Sequence, residues 1–238
     1  MEETLLVSRM PSGEPEIFKS IQGEGPSIGR ASTFVRLAMC NLRCHWCDTA
    51  YTWDWARFDR KSRTMAVNVD EIMATVSRNG LENVVVTGGE PLLQMARLVT
   101  LAKRLRTAGH RLEVETNGTV APAPELLENV AQWNVSPKLD NSGETLDMRE
   151  KPIALAAFVQ SPAASFKFVV CDAADVEEVT ALVQRHGILA ERVFLMPEGA
   201  SGDVVLERMK LLWELAIANR YRISPRLHIL LWGDRPGR

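Results

Sequence analysis

Short apolar runs typical of β-strands alternate with longer helix-like segments from about residue 30 to the end of the chain. The predicted strands span 32–38, 83–90, 111–118, 132–137, 165–170, 192–197 and 226–232. The predicted helices span 69–80, 91–109, 124–130, 150–158, 174–187 and 203–220. Strands that alternate with helices predict a parallel α/β sheet joined by right-handed crossovers. About six such units form either an open doubly wound sheet or an incomplete barrel, and the alternation alone leaves both open.

Polar or glycine residues come directly after several of the predicted strands. These segments are 87–90, 115–118, 136–138 and 197–199. In parallel α/β folds, ligands bind at the carboxyl ends of the strands. We therefore expect these segments to gather at one rim of the sheet and to form a ligand site there.

The length of 238 residues and the hydrophobic content of 46% are enough for one large domain or at most two small ones. We expect a single domain over 1–238, with 1–30 as an N-terminal extension before the first predicted strand. The net charge of −2 gives no indication of a nucleic-acid partner. No run reaches the roughly 18 apolar residues of a membrane span, and the N-terminus does not resemble a signal peptide. A soluble cytoplasmic protein is the expectation.

Three of the four cysteines lie within the stretch FVRLAMCNLRCHWCDTAYTW at 34–53, with the spacing Cys-x3-Cys-x2-Cys. Structural zinc needs four ligands, and no second cysteine pair is present; His45 is too close to Cys44 in sequence to share a tetrahedral site easily. A [4Fe–4S] cluster held by Cys40, Cys44 and Cys47 would leave one iron without a protein ligand, which is a catalytic feature. Cys171, at the end of an apolar run, is expected to be a core residue.

The motif CNLRCHWC resembles the signature of the radical S-adenosylmethionine (SAM) superfamily. The resemblance implies a partial (β/α)6 TIM-like barrel, a [4Fe–4S] cluster on Cys40, Cys44 and Cys47, and SAM bound at the open iron. The reduced cluster would then cleave SAM to a 5′-deoxyadenosyl radical. Trp46 and Asp48, on either side of Cys47, would lie near the bound SAM, with Trp46 near the adenine.

The stretch VVVTGGEPLL at 84–93 is similar to the GGEP motif of the same superfamily. Glycines let a backbone approach a ligand closely, and the resemblance implies that Gly89 contacts SAM. Glu90 can accept a hydrogen bond from the SAM ammonium group. VETNGT at 114–119 and NVSPK at 134–138 resemble the later SAM-contact segments. The implied contacts of the second of these segments are Ser136, Pro137 and Lys138.

The N-terminal stretch EIFKSIQGEGPSIGRASTFVRL at 16–37 carries Gln22 and Glu24 two residues apart, so on an extended segment both side chains point the same way. Together they could bind the edge of a pyrimidinone-like ring. The sequence from 16 to 55 closely resembles the 7-carboxy-7-deazaguanine synthase family, and the likeness continues more loosely to the end. That family converts 6-carboxy-5,6,7,8-tetrahydropterin to 7-carboxy-7-deazaguanine, with loss of ammonia, in queuosine and 7-deazapurine biosynthesis.

This second resemblance assigns the substrate-binding residues. It implies that Ile21, Gln22 and Gly23 line the pterin site, and the chemistry of Glu24 adds that residue. Arg36 would pair with the substrate carboxylate, for which a guanidinium fork is well suited, and Thr87 would also contact substrate. Thr49 would bind Mg2+, with help from Asp48. The adenosyl radical would remove hydrogen from C6 of the pterin, and SAM would be regenerated at the end of the cycle.

Two alternatives stay open, a glycyl-radical-enzyme activase of the same superfamily and a zinc-stabilised binding module. The family implies a homodimer, for which the apolar run 226–232 is a possible interface, and an electron donor such as flavodoxin. The sequence leaves the physiological reductant, the oligomeric state and the end product of the pathway undecided. It also leaves open the roles of the C-terminus at Arg238, of His228, and of the aromatic and charged segment 51–67, which could be a lid or a peripheral addition.

Overall fold

The computed structural model describes residues 3–234. Arg238, whose role the sequence left open, lies outside that range. Within the described residues the strands are β1 (Thr4–Ser8), β2 (Ile17–Ile21), β3 (Ala31–Leu37), β4 (Thr64–Asn68), β5 (Asn83–Gly88), β6 (Arg111–Thr116), β7 (Gln132–Val135), β8 (Ala164–Val170), β9 (Val193–Pro197) and β10 (Arg222–Ile223). The helices are α1 (Arg60–Arg63), α2 (Val69–Asn79), α3 (Met95–Thr107), α4 (Pro124–Asn129), α5 (Leu146–Arg149), α6 (Pro152–Gln160), α7 (Ala173–His186), α8 (Gly202–Asn219) and α9 (Leu227–Trp232).

All of these strands belong to one sheet, in the order β10-β9-β8-β7-β6-β5-β3-β1-β4, with β2 paired to β3. From β3 to β10 neighbouring strands are parallel and follow the chain order without a reversal. A doubly wound sheet reverses its strand order at a switch point, whereas a barrel winds in one direction. The structure therefore confirms the partial barrel.

Capping residues lie at the ends of α2 and α8, close to where the sequence predicted these helices to begin and end. Asn68 begins α2 by accepting a hydrogen bond from the backbone N–H of Asp70 at 2.8 Å, and Gly80 ends the helix in the left-handed region with φ +69°. Ser201 begins α8 in the same way by accepting from Val204. Such caps satisfy backbone groups that the helix leaves free, each contributing about 1 kcal/mol.

Successive side chains along each strand point alternately to the surrounding helices and to the barrel interior. On β5, Val84 and Val86 are fully buried in the helix-covered core, and each such side chain contributes about 1.5–3 kcal/mol. Between them and after them, Val85 and Thr87 point to the other face. The same period of two on β6 directs Glu115 to the interior. The interior face thus carries polar side chains toward the carboxyl ends of the strands.

A polar layer lies inside the barrel beneath the strand ends. Glu113 is fully buried and accepts hydrogen bonds from Asn83 Nδ2 at 3.0 Å and Asn134 Nδ2 at 3.1 Å. Arg111 also pairs with this carboxylate. A buried carboxylate is tolerated when its oxygens are hydrogen-bonded and paired, as they are here.

The structure confirms the six predicted strands between 32 and 197 to within two residues at each end. Three antiparallel strands, β1, β2 and β4, were not predicted, and the first 30 residues join the sheet through β1 and β2. The prediction of a strand at 226–232 is wrong, because Leu227–Trp232 is helix α9. A short apolar run does not distinguish a strand from a helix, and Arg222–Ile223 already occupies the sheet edge beside β9.

Among the helices of residues 3–234, none combines the length and the apolar character that crossing a bilayer requires.

Candidate active site

A pocket opens at the carboxyl ends of the parallel strands, where the sequence predicted a ligand site. Most predicted site residues lie on its wall: Ile21, Gln22, Gly23, Glu24, Arg36, Cys40, Cys44, Trp46, Cys47, Asp48, Thr49, Thr87, Gly89, Ser136 and Lys138. Glu90 and Pro137 are the two predicted residues that do not line it. The structure therefore brings the residues of the two resemblances to one place, while their individual roles stay predictions.

The loop that carries the three cysteines begins directly after β3. Met39 has an unusual φ of +77° for a residue other than glycine, and its N–H donates to the carbonyl of Thr52 at 2.7 Å. Cys40, Cys44 and Cys47 are free thiols that face the pocket. The loop is thus bent tightly at its start and held from behind by the segment that follows it.

The GGEP turn packs directly on the start of the cysteine loop. Gly89 donates its N–H to the Leu37 carbonyl at 2.9 Å, and Glu90 donates to the Met39 carbonyl at 2.7 Å. A Cβ at Gly89 would lie 2.0 Å from the Met39 oxygen and 3.0 Å from the Cys40 nitrogen. The close approach of the two segments therefore requires glycine at this position, and it fixes the place of Cys40.

Glu90 is fully buried and holds the GGEP turn against the end of β6. Its carboxylate accepts from Leu92 N–H at 3.0 Å, Thr116 Oγ1 at 2.8 Å and Asn117 N–H at 2.7 Å. Burial raises the pKa of Glu90 despite these hydrogen bonds. Direct binding of the SAM ammonium group stays a prediction, and the contacts in the structure show a positioning role for this residue.

Hydrogen-bond donors lie beside two of the three thiols, those of Cys47 and Cys40. Trp53 Nε1 donates to Cys47 Sγ at 3.2 Å, and the Leu42 N–H lies 3.5 Å from Cys40 Sγ. Burial raises the pKa of Cys40 to about 12 and also raises the pKa of Cys44. Since a metal binds the thiolate, cluster assembly here must release protons, and donors to sulfur then stabilise the added negative charge.

The predicted SAM contacts Trp46, Ser136 and Lys138 form a connected group. The Lys138 ammonium lies over the Trp46 ring, 5.4 Å from its centre, and donates to Ser136 Oγ at 2.9 Å. Trp46 Nε1 donates to the Asn141 carbonyl at 3.1 Å. These contacts fix the orientation of the indole ring beside Cys47.

A hydrogen-bonded triad of side chains lines the same pocket as the cysteines. Gln22 Nε2 donates to Glu115 Oε1 at 3.1 Å, and Thr87 Oγ1 donates to Glu115 Oε2 at 2.6 Å. Gln22 and Thr87 were predicted site residues, whereas Glu115 was placed only in a polar rim segment. The period-two pattern of β6, in which Glu113 and Glu115 share the interior face, is the signal that could have found it.

Arg36 is held by two residues that the sequence did not indicate. Its Nε donates to Glu16 Oε1 at 2.8 Å, and the Tyr51 hydroxyl donates to the same carboxylate at 3.0 Å. Burial alone would lower the pKa of Arg36, but Glu16 and Tyr51 raise it above its ordinary value. The guanidinium is therefore a fixed permanent cation on the pocket wall, as the predicted carboxylate partner requires.

Glu24 lies at the centre of a charged network inside the pocket. It forms an ion pair with Lys167, lies 3.4 Å from Arg226 Nε, and is 3.8 Å from His228 Nε2. Burial would raise the pKa of Glu24, but these three neighbours together hold it well below its ordinary value. Lys167 and Arg226 were not predicted, because their partners are distant in sequence.

Arg226 joins both ends of the chain to the cysteine loop. Besides Glu24, its guanidinium donates to Asp48 Oδ2 at 2.5 Å and to the Gly199 carbonyl at 2.7 Å. Asp48, which was predicted near SAM and Mg2+, is therefore paired with a cation in this structure. Thr49, the predicted Mg2+ ligand, has its hydroxyl 3.7 Å from Cys47 Sγ.

The segment at 224–228 packs on residues 22–25 at the wall of the pocket. Leu227 N–H donates to the Gly23 carbonyl at 3.0 Å, and Gly25 N–H donates to Ser224 Oγ at 2.7 Å. A Cβ at Gly23 would lie 2.6 Å from His228 Nδ1. His228, whose role the sequence left open, thus lines the pocket and packs on the predicted substrate segment.

The arrangement of the thiols suits a cluster better than a single ion. Among residues 3–234, no three His, Cys, Asp or Glu side chains converge on the position of one metal ion. In a [4Fe–4S] cluster each thiolate binds a different iron, so the sulfurs need not converge. Three thiols on one pocket wall, with the close backbone approach at Gly89 beside them, fit such a cluster with one iron facing the pocket. This geometry gives no support to a structural zinc site.

A model of the radical SAM superfamily matches residues 35–141, which include the cysteine motif and the GGEP turn. The barrel and its cysteine-lined pocket therefore define a protein of the radical SAM class, and this class implies a [4Fe–4S] cluster and SAM as cofactors.

Similar proteins narrow the class to one family. The 7-carboxy-7-deazaguanine synthase of Pyrobaculum aerophilum is 44% identical over 225 residues, 94% of this chain and 96% of that protein. The synthase of Hyperthermus butylicus is 39% identical and covers 91% of each chain. The crystal structure of QueE from Escherichia coli matches with a TM-score of 0.67 and 26% identity, over 94% of this chain and 95% of that one. The chain belongs to the 7-carboxy-7-deazaguanine synthase family.

Proposed function

We propose that this protein converts 6-carboxy-5,6,7,8-tetrahydropterin to 7-carboxy-7-deazaguanine with loss of ammonia, as a step of 7-deazapurine and queuosine biosynthesis. The observation that carries the proposal is a single pocket that is lined by two chemically different groups of side chains. The first group is the three thiols of the cysteine loop, and the second is the triad of Gln22, Thr87 and Glu115. The names of the similar synthases support the same reaction.

The cofactors would supply the radical chemistry, and the residues of the chain would hold the cofactors and the substrate in position. When bound, the [4Fe–4S] cluster and SAM would supply the radical chemistry for removal of hydrogen at C6 of the pterin. Cys40, Cys44 and Cys47 would hold three of the four irons. Trp46, Gly89, Ser136, Pro137 and Lys138 are the proposed contacts of SAM, together with Asp48 and Glu90. Holding the two reactants in one pocket aligns the reacting atoms.

The polar side chains of the pocket match the chemistry of a carboxypterin. The pyrimidinone edge of that ring presents N–H donors, which a carboxylate such as Glu115 or Glu24 can accept. The Gln22 amide can add a donor or an acceptor beside them. The substrate carboxylate suits Arg36, whose charge is permanent and whose position Glu16 fixes.

A Mg2+ ion is part of the proposal. Magnesium prefers oxygen ligands and keeps several waters, so one protein hydroxyl and one carboxylate suffice together with an anionic substrate. Thr49 and Asp48 offer these two groups on the wall beside Cys47. The Mg2+ would bind the substrate carboxylate and orient it.

We also propose that the chain acts as one domain and assembles as a homodimer. Strands from its first 30 residues belong to the same sheet as the barrel. Three large apolar side chains on one side of α8 are about half exposed: Leu206, Trp213 and Ile217. The C-terminal run that the sequence indicated as an interface is helix α9, and its Leu231 is similarly exposed. Light scattering should give the mass of a dimer, and Trp213→Glu is expected to give a monomer.

Turnover by the reconstituted protein tests the proposed reaction. Protein loaded anaerobically with iron and sulfide, then given SAM, Mg2+, dithionite and the carboxypterin, should form 7-carboxy-7-deazaguanine and ammonia, detected by mass spectrometry. Omission of Mg2+ should lower the rate. Cleavage of SAM to 5′-deoxyadenosine with the carboxypterin left intact would contradict the pterin assignment while leaving the radical SAM class in place.

Replacement of Glu115 by glutamine should weaken substrate binding specifically. The variant keeps the shape of the side chain but loses the charge that Gln22 and Thr87 contact. A hydrogen bond to a charged group is worth about 1.5–3 kcal/mol, so the KM for the pterin should rise roughly 10- to 100-fold. Slow SAM cleavage without pterin should be unchanged. Glu125→Gln, on the exposed side of α4, is the matched control; equal KM values for both variants would remove Glu115 from the site.

A further inference from the structure

Residues 55–63, with the sequence WARFDRKSR, form a basic surface that the proposed reaction does not use. The segment carries Arg57, Arg60, Lys61 and Arg63 against the single acid Asp59, whereas the whole chain has a net charge of −2. The Arg57 side chain is 63% exposed, and Arg60 and Lys61 are also exposed. Asp54, just before the segment, pairs with Arg57, and the local charge remains positive. We call residues 55–63 the basic surface.

Aromatic rings hold the cations of the basic surface in place. Arg57 and Arg63 both lie against the Phe58 ring, with guanidinium carbons 5.7 and 5.5 Å from its centre. Arg60 lies 6.0 Å from the centre of the Trp55 ring. Such contacts orient guanidinium groups before any partner arrives, which reduces the entropy that binding would cost.

The inner side of this region touches the cysteine loop at three points. Trp53 Nε1 donates to Cys47 Sγ at 3.2 Å, and the Thr52 carbonyl accepts from Met39 N–H at 2.7 Å. Arg60 Nη2 contacts Met39 Sδ at 3.7 Å, and Met39 directly precedes the first cysteine of the motif. Arg60 of the basic surface therefore contacts the residue next to the predicted cluster ligand Cys40, and the segment just before the surface contacts Cys47.

The location of the basic surface differs from that of the substrate pocket. Of the described residues on the pocket wall, none comes from 55–63, whereas Tyr51 and Trp53 do line the pocket. With SAM and substrate bound, the pocket side of the cluster would be covered. An electron for the cluster must then enter from another side, and the basic surface is next to the loop that would hold it.

We propose that the basic surface is the docking site of an acidic one-electron carrier protein that reduces the [4Fe–4S] cluster. In that step the carrier loses one electron and the cluster gains one, and no covalent bond forms or breaks. Charge complementarity with an acidic carrier would speed encounter and orient the carrier toward the cysteine loop. This inference rests on membership of the radical SAM class, and it does not depend on the identity of the pterin substrate.

A single-stranded nucleic acid is the other partner that a basic and aromatic surface can bind. Such binding relies on open aromatic faces on which bases stack. Here the Phe58 ring is already in contact with Arg57 and Arg63, and Arg60 covers Trp55. The occupied rings and the contact with the cysteine loop favour the electron carrier.

Anaerobic reduction kinetics of the cluster-loaded protein test the proposal. The variant Arg60→Glu/Lys61→Glu is mixed with an acidic flavodoxin in its hydroquinone form, and bleaching of the cluster absorbance gives the reduction rate. At low salt we expect this rate to fall at least about 10-fold and to lose most of its salt dependence. Reduction by dithionite, which needs no docking, should keep its normal rate. Arg97→Glu/Lys103→Glu, on exposed positions of α3, makes the same charge change and should leave both rates unchanged.

The single variant Lys61→Glu provides a second measurement, because it leaves the contact between Arg60 and Met39 in place. The double variant could also be reduced more slowly by dithionite. In that case the rate at which flavodoxin reduces the cluster of Lys61→Glu is the deciding measurement, and a several-fold loss of this rate supports the proposal. Unchanged flavodoxin rates in this variant would overturn it. The proposal would also be overturned if the variants lost only affinity for a single-stranded RNA oligonucleotide and were reduced normally by flavodoxin.

Discussion

Alanine at Gly89 is expected to prevent assembly of the cluster and to lower turnover by about 100-fold or more, since a displacement of about 1 Å in a reacting centre has an effect of this size. The new Cβ would lie 2.0 Å from the Met39 carbonyl oxygen, so the GGEP turn and the cysteine loop must separate. The separation would break the hydrogen bond from Glu90 N–H to Met39 and move Cys40. Iron and sulfide content, with the visible absorbance of the cluster, measures the loss.

Gly202→Ala is the matched control for this variant. A Cβ at Gly202 would meet no atom closer than 3.6 Å, and the residue lies in the first turn of α8, where alanine is favoured. The control should bind iron normally. Normal cluster content and activity in Gly89→Ala would show that the turn is free to move away from the cysteine loop, contrary to the close packing described above.

Replacement of Glu24 by glutamine should lower the free energy of unfolding by about 3 kcal/mol, because the removal of one member of a buried ion pair leaves an uncompensated charge. The charges left behind are those of Lys167 and Arg226, both buried. Urea denaturation of the protein without cofactors measures the loss. The double variant Glu24→Gln/Lys167→Met should recover most of it, since the second change removes the unpaired ammonium.

Acid pH should reduce the difference in the free energy of unfolding between the wild type and Glu24→Gln. Because the folded-state pKa of Glu24 lies well below its ordinary value of 4.5, its ionised form contributes stability above about that pH. The contribution decreases as the pH falls from there toward the lower folded-state pKa. Glu207→Gln, from an exposed pair with Lys210, should change stability by less than about 1 kcal/mol at any pH. Equal losses in the two variants would show that the Glu24 network is not buried as a unit.

The parallel part of the fold could be predicted because each strand and helix is defined by its own residues. The buried run at Val84–Val86 and the helix end at Gly80 are local signals, and the chain order then determines the barrel. The antiparallel strands β1, β2 and β4 depend on pairing partners far along the chain, for which the sequence pattern gives no direct sign. The same limit explains the wrong strand at 226–232, where tertiary packing of Ile229 decides the structure.

The functional site likewise contains some residues that short sequence patterns reveal and others that only the fold reveals. Cysteine spacing and the GGEP turn are short-range patterns, so Cys40, Cys44, Cys47 and Gly89 could be found from the sequence. Lys167 is a single lysine in an apolar strand. Its role in an ion pair is seen only in the fold, which places it beside Glu24, 143 residues earlier in the chain. In the same way, the sequence could note the aromatic segment after the motif, but only the fold shows that Trp53 reaches Cys47.

The bridge that Arg226 makes between Glu24 and Asp48 has a consequence for synthesis of the protein on the ribosome. Chains fold from the N-terminus as they emerge, and Arg226 is translated long after Glu24 and Asp48. The cysteine loop and its neighbouring strands can therefore form before Arg226 is present to pair with Asp48. We expect a nascent chain halted before residue 222 to accept iron and sulfide more readily than a chain that extends through α9.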